Sequence, residues 1–311
     1  MSEFRIGHLE VDSPYGNAGG VIKGVHELGV MAQTGVGWME PGSFTLEKRI
    51  GNSPDGEVVY LHDPVTGETY NSLGMPNKGM DVVETEIPEM AVIAHAAGKQ
   101  LVVNVAPVSD NPVAESVELV TRAYEAGADA VLLNAGCPNV VTADGGRHEI
   151  LSHNAGALLL VLEGLKAVTE KFHPVFIRTS PLDSISKVHA IAEAIKASRA
   201  VSAVFPPNTW PGHRPLDEAG NPILEIPGGM GGKSGPATSP EAAEQTAWMK
   251  YCLFATNIDV VSSGGITTGK ELAHRMNVNR ASAGAGTTFF YESGDWKHDV
   301  DKLLWEFSES L

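Results

Sequence analysis

The stretch LLNAGCPNVV, residues 132–141, sets Cys137 between two asparagines, Asn134 and Asn139. It is one of two cysteines in a chain of 311 residues. A loop cysteine can serve as nucleophile, proton acceptor or metal ligand, or simply pack. An ordinary thiol titrates at about 8.5 and is mainly protonated at neutral pH. No second Cys or His stands at ligand spacing, which argues against a metal. Nucleophilic hydrolysis would need a histidine base, and His148 and His153 form no triad pattern with Cys137. Asn71, Asn134, Asn139 and Asn208 come from four separate segments. Each amide offers a donor pair and an acceptor, a set suited to a planar ring of alternating N–H and C=O groups such as a pyrimidine. Any one of them alone is most simply a turn residue. Two glycine-rich turns, SSGGITTG and GAGTT, supply the third signal through Ser263, Gly264, Gly265, Gly286 and Thr287. Exposed backbone N–H groups at such turns can cradle a phosphate.

These residues need a frame. Short apolar runs fall at 16–20, 30–34, 101–106, 130–134, 174–178, 201–205, 259–263 and 281–286. Continuous rather than alternating apolar runs are expected for strands buried on both faces of a parallel sheet. Helical patterns lie between them. NPVAESVELVTRAYEAGA has Asn111 as N-cap, Pro112 at the first position and a stripe of Val113, Val117, Val120 and Tyr124. SPEAAEQTAWMKYCLFAT repeats the pattern, with Ser239 as cap and a stripe of Ala243, Ala247, Tyr251 and Phe254. Cys252 falls inside that helix and reads as a core residue. Eight strands alternating with helices give an α/β fold, a single (β/α)8 TIM barrel spanning 1–311, with a doubly wound open sheet as the competing architecture. Residues 42–80 and 206–236 fit neither pattern and read as hairpin or loop excursions, of the kind that carry function on a compact scaffold. In a barrel the chemistry sits at the carboxyl ends of the strands, where the cysteine, the asparagines and the glycine turns all fall.

The formal charge is −16, so a nucleic-acid or anionic-membrane partner is excluded and an anionic small molecule needs a local positive site. The N-terminal MSEFRIGHLEVD lacks the apolar core of a signal peptide, and AGALLLVLEGL is too short to span a bilayer. With no disulfide framework, a cytoplasmic protein is expected.

Seven motifs then occur in order: NAGGV, SFTLEKRIGN, NSLGMPNKG, NAGCPNV, GGMGGKSGPA, SSGGITTG and GAGTTFF. Together they resemble the dihydroorotate dehydrogenase family of flavin barrels, and they favour the barrel over the open sheet. The resemblance implies FMN and the oxidation of dihydroorotate to orotate in pyrimidine biosynthesis. Cys137 matches the catalytic base of the cysteine class, removing a proton from C5 while hydride leaves C6 for flavin N5. Asn71, Asn134, Asn139, Asn208 and Thr209 match substrate-binding positions. Ala18, Gly19, Ser43, Asn104, Asn134, Arg178, Gly232, Ser263, Gly264, Gly265, Gly286 and Thr287 match positions around FMN. A homodimer is implied, with electrons passing to fumarate, oxygen or a partner subunit.

The chain also departs from the family pattern. Gly42 stands where the family has a lysine near flavin and substrate carboxylate. Arg178 replaces a second lysine, and Gly136 replaces the serine before the cysteine. The loop VVTADGGRHE lacks the usual Pro-Gly-Lys, and Arg147 is a candidate replacement cation. Three other readings follow from these departures. They are a flavin oxidoreductase for another dihydropyrimidine or conjugated cyclic substrate, a non-catalytic flavin binder, and a flavin-free phosphate-sugar barrel.

Overall fold

The computed structural model describes residues 4–137, 149–286 and 294–311. Eight parallel strands close a barrel: β3 (Tyr15–Asn17), β4 (Trp38–Met39), β7 (Gln100–Val105), β8 (Ala130–Asn134), β9 (Val175–Arg178), β10 (Val201–Phe205), β13 (Asp259–Ser263) and β14 (Ala283–Gly286). They follow one another around the wall in chain order, with β14 pairing back to β3. Helices alternate with them: α1 (Val25–Met31), α2 (Met80–Ala96), α3 (Pro112–Glu125), α4 (Ala155–Gly164), α5 (Lys166–Lys171), α6 (Ile185–Ser198), α7 (Ser239–Cys252), α8 (Gly269–Asn277) and a C-terminal helix, Trp296–Ser308.

The strands are legible because both their faces are apolar. AVLLN of β8 and VFIR of β9 are buried at every position. One face meets the helices, in a core that includes Val103, Val131, Leu133 and Ile177. The other fills the barrel with Trp38, Phe176, Phe205 and smaller residues. Phe205 lies between Phe176 and Trp38, at ring centroid distances of 5.7 and 6.4 Å. An antiparallel hairpin, β1 (Phe4–Ile6) and β2 (Leu9–Val11), closes the amino end with Ile6, Leu9 and Val11. It is pinned there by Gly7 N–H donating to Asp259 Oδ2 at 2.8 Å.

Asn111 caps α3 as expected, its side chain accepting from Ala114 N–H at 3.2 Å. Four expectations fail. The run at 30–34 is the end of α1 and its turn rather than a strand, and the true second strand is the two-residue β4. Leu28 and Met31 are the buried residues of α1 while Val30 is exposed, and β4 passes at once into Glu40 and Pro41, leaving only a short apolar signal. The first strand ends at Asn17, so Ala18–Gly20 are loop. Ser239 does not cap α7: the cap position is Thr238, whose side chain makes no capping bond to the helix, and the Ser239 hydroxyl faces Glu271 and Arg275. The buried face of α7 holds Ala242, Gln245, Thr246, Met249 and Cys252, while Tyr251 and Phe254 are exposed. Polar Gln245 and Thr246 face inward because each finds a partner, Gln245 on Leu182 and Thr246 on Ser262.

The two excursions form one structure. β5 (Tyr60–His62) and β6 (Thr69–Asn71) come from the first; β11 (Trp210–His213) and β12 (Gly231–Ser234) come from the second. They join as a four-stranded antiparallel sheet ordered β11-β12-β6-β5. Trp210, Tyr60 and Asn71 of this sheet border the same cavity as the barrel's carboxyl strand ends.

Phe205→Ala is expected to destabilise the protein by about 3–5 kcal/mol through lost burial and a cavity. Tyr251→Ala is expected to stay within about 0.5 kcal/mol. Urea unfolding midpoints at unchanged m-value check both.

Candidate active site

The cavity at the carboxyl mouth has an empty volume of about 1180 Å³, including its open side. One wall is built by Asn134 at the end of β8, Cys137 three residues on, and Asn208 and Thr209 after β10. Asn71 reaches it from β6. Ser43, Asn134 and Asn208 form a connected chain of polar groups. Asn134 Nδ2 donates to Ser43 Oγ at 2.9 Å, and Asn208 Nδ2 donates to Asn134 Oδ1 at 3.2 Å. Asn208 Oδ1 in turn accepts from Thr209 N–H at 2.7 Å. These bonds fix which way each amide points, so the wall presents an ordered set of donors and acceptors.

Beneath it lies a buried ion pair. Glu40, directly after β4, accepts both guanidinium arms of Arg178, Nη2 to Oε2 at 2.9 Å and Nη1 to Oε1. Asn104 Nδ2 donates to the same Oε1 at 2.5 Å. The Glu40 backbone is held by Asn17, whose Oδ1 accepts from Glu40 N–H at 2.9 Å and whose Nδ2 donates to Glu40 O at 2.9 Å. Glu40 and Asn104 are fully buried and Arg178 nearly so. Gly19 covers the cluster; a Cβ there would stand 2.7 Å from Asn104 Nδ2 and 2.9 Å from Glu40 Oε1.

Gly42 explains its own identity. Its φ is +123°, and a Cβ would come within 2.3 Å of Asn104 O. No lysine fits on this backbone. Lys23 lines the cavity and donates from Nζ to Gly42 O at 3.1 Å. Burial pushes its ammonium down to about 8, against a partial upward pull from Cys137 and Glu27.

The opposite end of the cavity is glycine-lined. Gly264 and Gly265 follow β13 at φ +81° and +75°, and Gly286 ends β14 beside them. Ser263 lines this end too, its buried Oγ without a protein partner among the described residues.

A family model for dihydroorotate dehydrogenase matches residues 1–307. The chain belongs to the dihydroorotate dehydrogenase family. Among curated relatives it is 29% identical over 255 residues to the "Dihydroorotate dehydrogenase B (NAD(+)), catalytic subunit" of Geobacillus kaustophilus, covering 80% of this chain and 72% of the relative. The same values hold for that subunit in Bacillus caldolyticus, and the Bacillus cereus counterpart is 28% identical over 257 residues. A crystal structure of a DHODH from Eimeria tenella in complex with ferulenol shares the fold, with a TM-score of 0.78 over 98% of this chain and 82% of that one at 21% identity.

As a dihydroorotate dehydrogenase family member, the protein is an FMN-dependent oxidoreductase acting on a CH–CH bond. The residues present fit that cofactor. Left-handed glycines beside the buried Ser263 hydroxyl, which has no protein partner among the described residues, suit a phosphate.

Of the expected site residues, Ala18, Gly19, Ser43, Asn71, Asn134, Cys137, Arg178, Asn208, Thr209, Ser263, Gly264, Gly265 and Gly286 line the one cavity. Asn104 sits behind Gly19 in β7, and Gly232 is a buried β12 residue paired with Asn71, so neither lines it. Asn139, Thr287, Arg147 and His148 lie outside the described residues. His153 bonds Pro181 O at 3.1 Å and is not among the cavity's residues. Sequence reasoning missed Lys23, Glu40 and Trp210. The signal for Glu40 was an acid placed directly after the apolar pair Trp38 and Met39; Lys23 sits six residues after Asn17 with nothing to mark it. No helix among the described residues is long and apolar enough to cross a membrane.

Removing one partner of the buried pair leaves an uncompensated charge. Glu40→Leu is expected to destabilise the protein by about 3–5 kcal/mol, and Glu40→Leu with Arg178→Met by less than either single change. Chemical denaturation of the three variants checks this.

Proposed function

We propose that the protein oxidises dihydroorotate to orotate in pyrimidine biosynthesis, with Cys137 as the base at C5. The observation that carries the reading is the convergence of Cys137 with Asn71, Asn134 and Asn208 on one cavity whose far end is glycine-lined. The relatives' printed name, dihydroorotate dehydrogenase B, supports the substrate.

A dihydropyrimidine ring offers alternating N–H and C=O groups. The Asn134–Asn208 chain and Asn71 are matched to it, and binding through several amides fixes both faces of the ring. Cys137 accepts the proton from C5. FMN, when bound, supplies the hydride acceptor for C6. Lys23 is the cation for the substrate carboxylate, in place of the side chain that Gly42 cannot carry. Arg178 is clamped by Glu40 below the cavity and keeps its charge at a fixed place. Thr209 orients Asn208 through the backbone bond to its Oδ1. Asn139 and Thr287 complete the substrate set and the phosphate turn in this proposal.

The relatives are named catalytic subunits, which supports electron transfer to a partner subunit here. A homodimer in the cytoplasm belongs to the same proposal. A second reading, another dihydropyrimidine or conjugated cyclic substrate, is favoured by Gly42 alone.

Anaerobic addition of dihydroorotate is expected to bleach the yellow protein. A flavin that binds but stays oxidised would favour the second reading. Cys137→Ser is expected to slow bleaching by about 10²–10⁴-fold, the usual contribution of a positioned base, with FMN affinity unchanged. Full-rate bleaching by that variant removes the cysteine from its role.

Lys23 gives a pH signature. Its ammonium is held near pKa about 8 by burial, so it is charged below that pH and neutral above it. Orotate affinity is therefore expected to fall as pH rises through about 8, up to tenfold per pH unit, and Lys23→Met is expected to bind weakly without that inflection. Titration of orotate from pH 6.5 to 9.5 checks the difference.

A further inference from the structure

Arg275 lies on α8, outside the barrel wall, and is fully buried. Its sequence context, Glu271 followed four residues later by Arg275, has the spacing of an exposed helix ion pair. The structure turns the side chain inward. Nε donates to Glu271 Oε1 at 2.5 Å, and Nη1 donates to Ser262 Oγ at 2.7 Å. Nη2 donates to Gly264 O at 3.0 Å and to both Ser239 O and Ser239 Oγ at 2.9 Å. Burial pulls this guanidinium below the usual arginine range, yet an arginine remains a cation in a protein. Desolvating it is unfavourable, and an exposed pair with Glu271 would have avoided that.

The arms grip the turn 262–264, whose residues Ser263 and Gly264 line the cavity. In a trans peptide unit, C=O and N–H point in opposite directions. Gly264 O is drawn toward Arg275, so the N–H of the same unit, that of Gly265, points the other way, to the cavity side. Left-handed backbone at both glycines gathers successive N–H groups into an anion-binding concavity. The buried Ser263 Oγ, without a protein partner among the described residues, sits in this turn. The amino end of α8, capped by Thr268 accepting from Glu271 N–H at 3.2 Å, follows directly.

We infer that Arg275 is a positioning residue for the cofactor phosphate: it clamps the 262–265 turn from behind so that its N–H groups face the phosphate, and it sets a buried positive charge behind them. This rests on the reading of Ser263, Gly264 and Gly265 as the phosphate cradle. Arg275 touches neither the cavity nor the reacting ring, and acts only through the turn.

Riboflavin, which is FMN without the phosphate, separates this role from general support of the fold. Apoprotein of wild type, Arg275→Met and Arg275→Lys is titrated with FMN and with riboflavin, and binding is read by flavin fluorescence. Wild type is expected to prefer FMN. Arg275→Met is expected to bind FMN at least tenfold more weakly, with riboflavin affinity within about twofold of wild type. Arg275→Lys keeps the charge but cannot span Ser262, Gly264 and Ser239, so a smaller loss in the same direction is expected. Equal loss of both ligands, or loss of neither, overturns the inference. If Arg275→Met does not fold, the FMN-to-riboflavin ratio of Arg275→Lys decides, and an unchanged ratio overturns it. A wild type that binds both ligands alike overturns the cradle itself and the inference with it. Bleaching by dihydroorotate is read separately and fails independently of either.

Discussion

The buried Glu40–Arg178 pair organises the mouth of this barrel. It links the end of β4 to the end of β9, which are not neighbours in the wall, and it draws Asn104 of β7 into the same cluster. Two desolvated charges are tolerable only when paired and hydrogen-bonded, and here Glu40 accepts from both guanidinium arms and from Asn104. The consequences spread along the chain. Position 19 has no room for a side chain, because the cluster lies against it. The backbone from Glu40 to Gly42 is fixed by Asn17 on one side and Asn104 O on the other, so position 42 has no room either. A cation for the mouth has to come from elsewhere, and Lys23 enters over the Gly42 carbonyl. The loss of the family lysine and the presence of Lys23 are thus one structural fact.

The second constraint is the small sheet over the cavity. Residues from two loops more than a hundred positions apart pair as β6 and β12, with Gly232 opposite Asn71 and Lys233 opposite Tyr70. Asn71 therefore depends for its place on a strand it shares no local sequence with. A backbone ladder is a firmer mount than a free loop, since each residue is held by main-chain bonds rather than by its own side chain. Gly232 is part of this mount, since it is the residue paired with Asn71.

Most of the barrel was legible because β7, β8, β9, β10 and β13 are buried on both faces and read as apolar runs. The failures share a cause. β4 is two residues long and gives way to Glu40, so a helix end nearby, with Val30 and Met31, carried the stronger apolar signal. On α7 the exposed Tyr251 and Phe254 looked like the core stripe, while the real one uses Gln245 and Thr246, polar residues satisfied by tertiary partners that no periodicity reveals. The site was legible through its motifs: Cys137, three asparagines and the glycine turns meet on one cavity. Lys23, Glu40 and Arg275 were not, because each is a charged residue whose meaning lies wholly in what it is buried against.

A chain of formal charge −16 has to hold the anionic cofactor FMN and, in the proposed function, an anionic substrate. The acidic surface repels both at a distance, though screening beyond roughly 8–10 Å at physiological salt confines the penalty to close approach. Inside the mouth, the low-dielectric walls make single charges act more strongly than on the open surface. Lys23, Arg178 and Arg275 all lie at or just behind the cavity wall, the two arginines buried and Lys23 half-buried. Arg178 and Arg275 each have a carboxylate partner, Glu40 and Glu271, which lowers the cost of burying them and weakens their reach. Lys23 donates to a carbonyl instead and is the one whose charge is labile near neutral pH. Attraction is therefore local: two of the cations are fixed and partly neutralised by their partners, and the third is titratable.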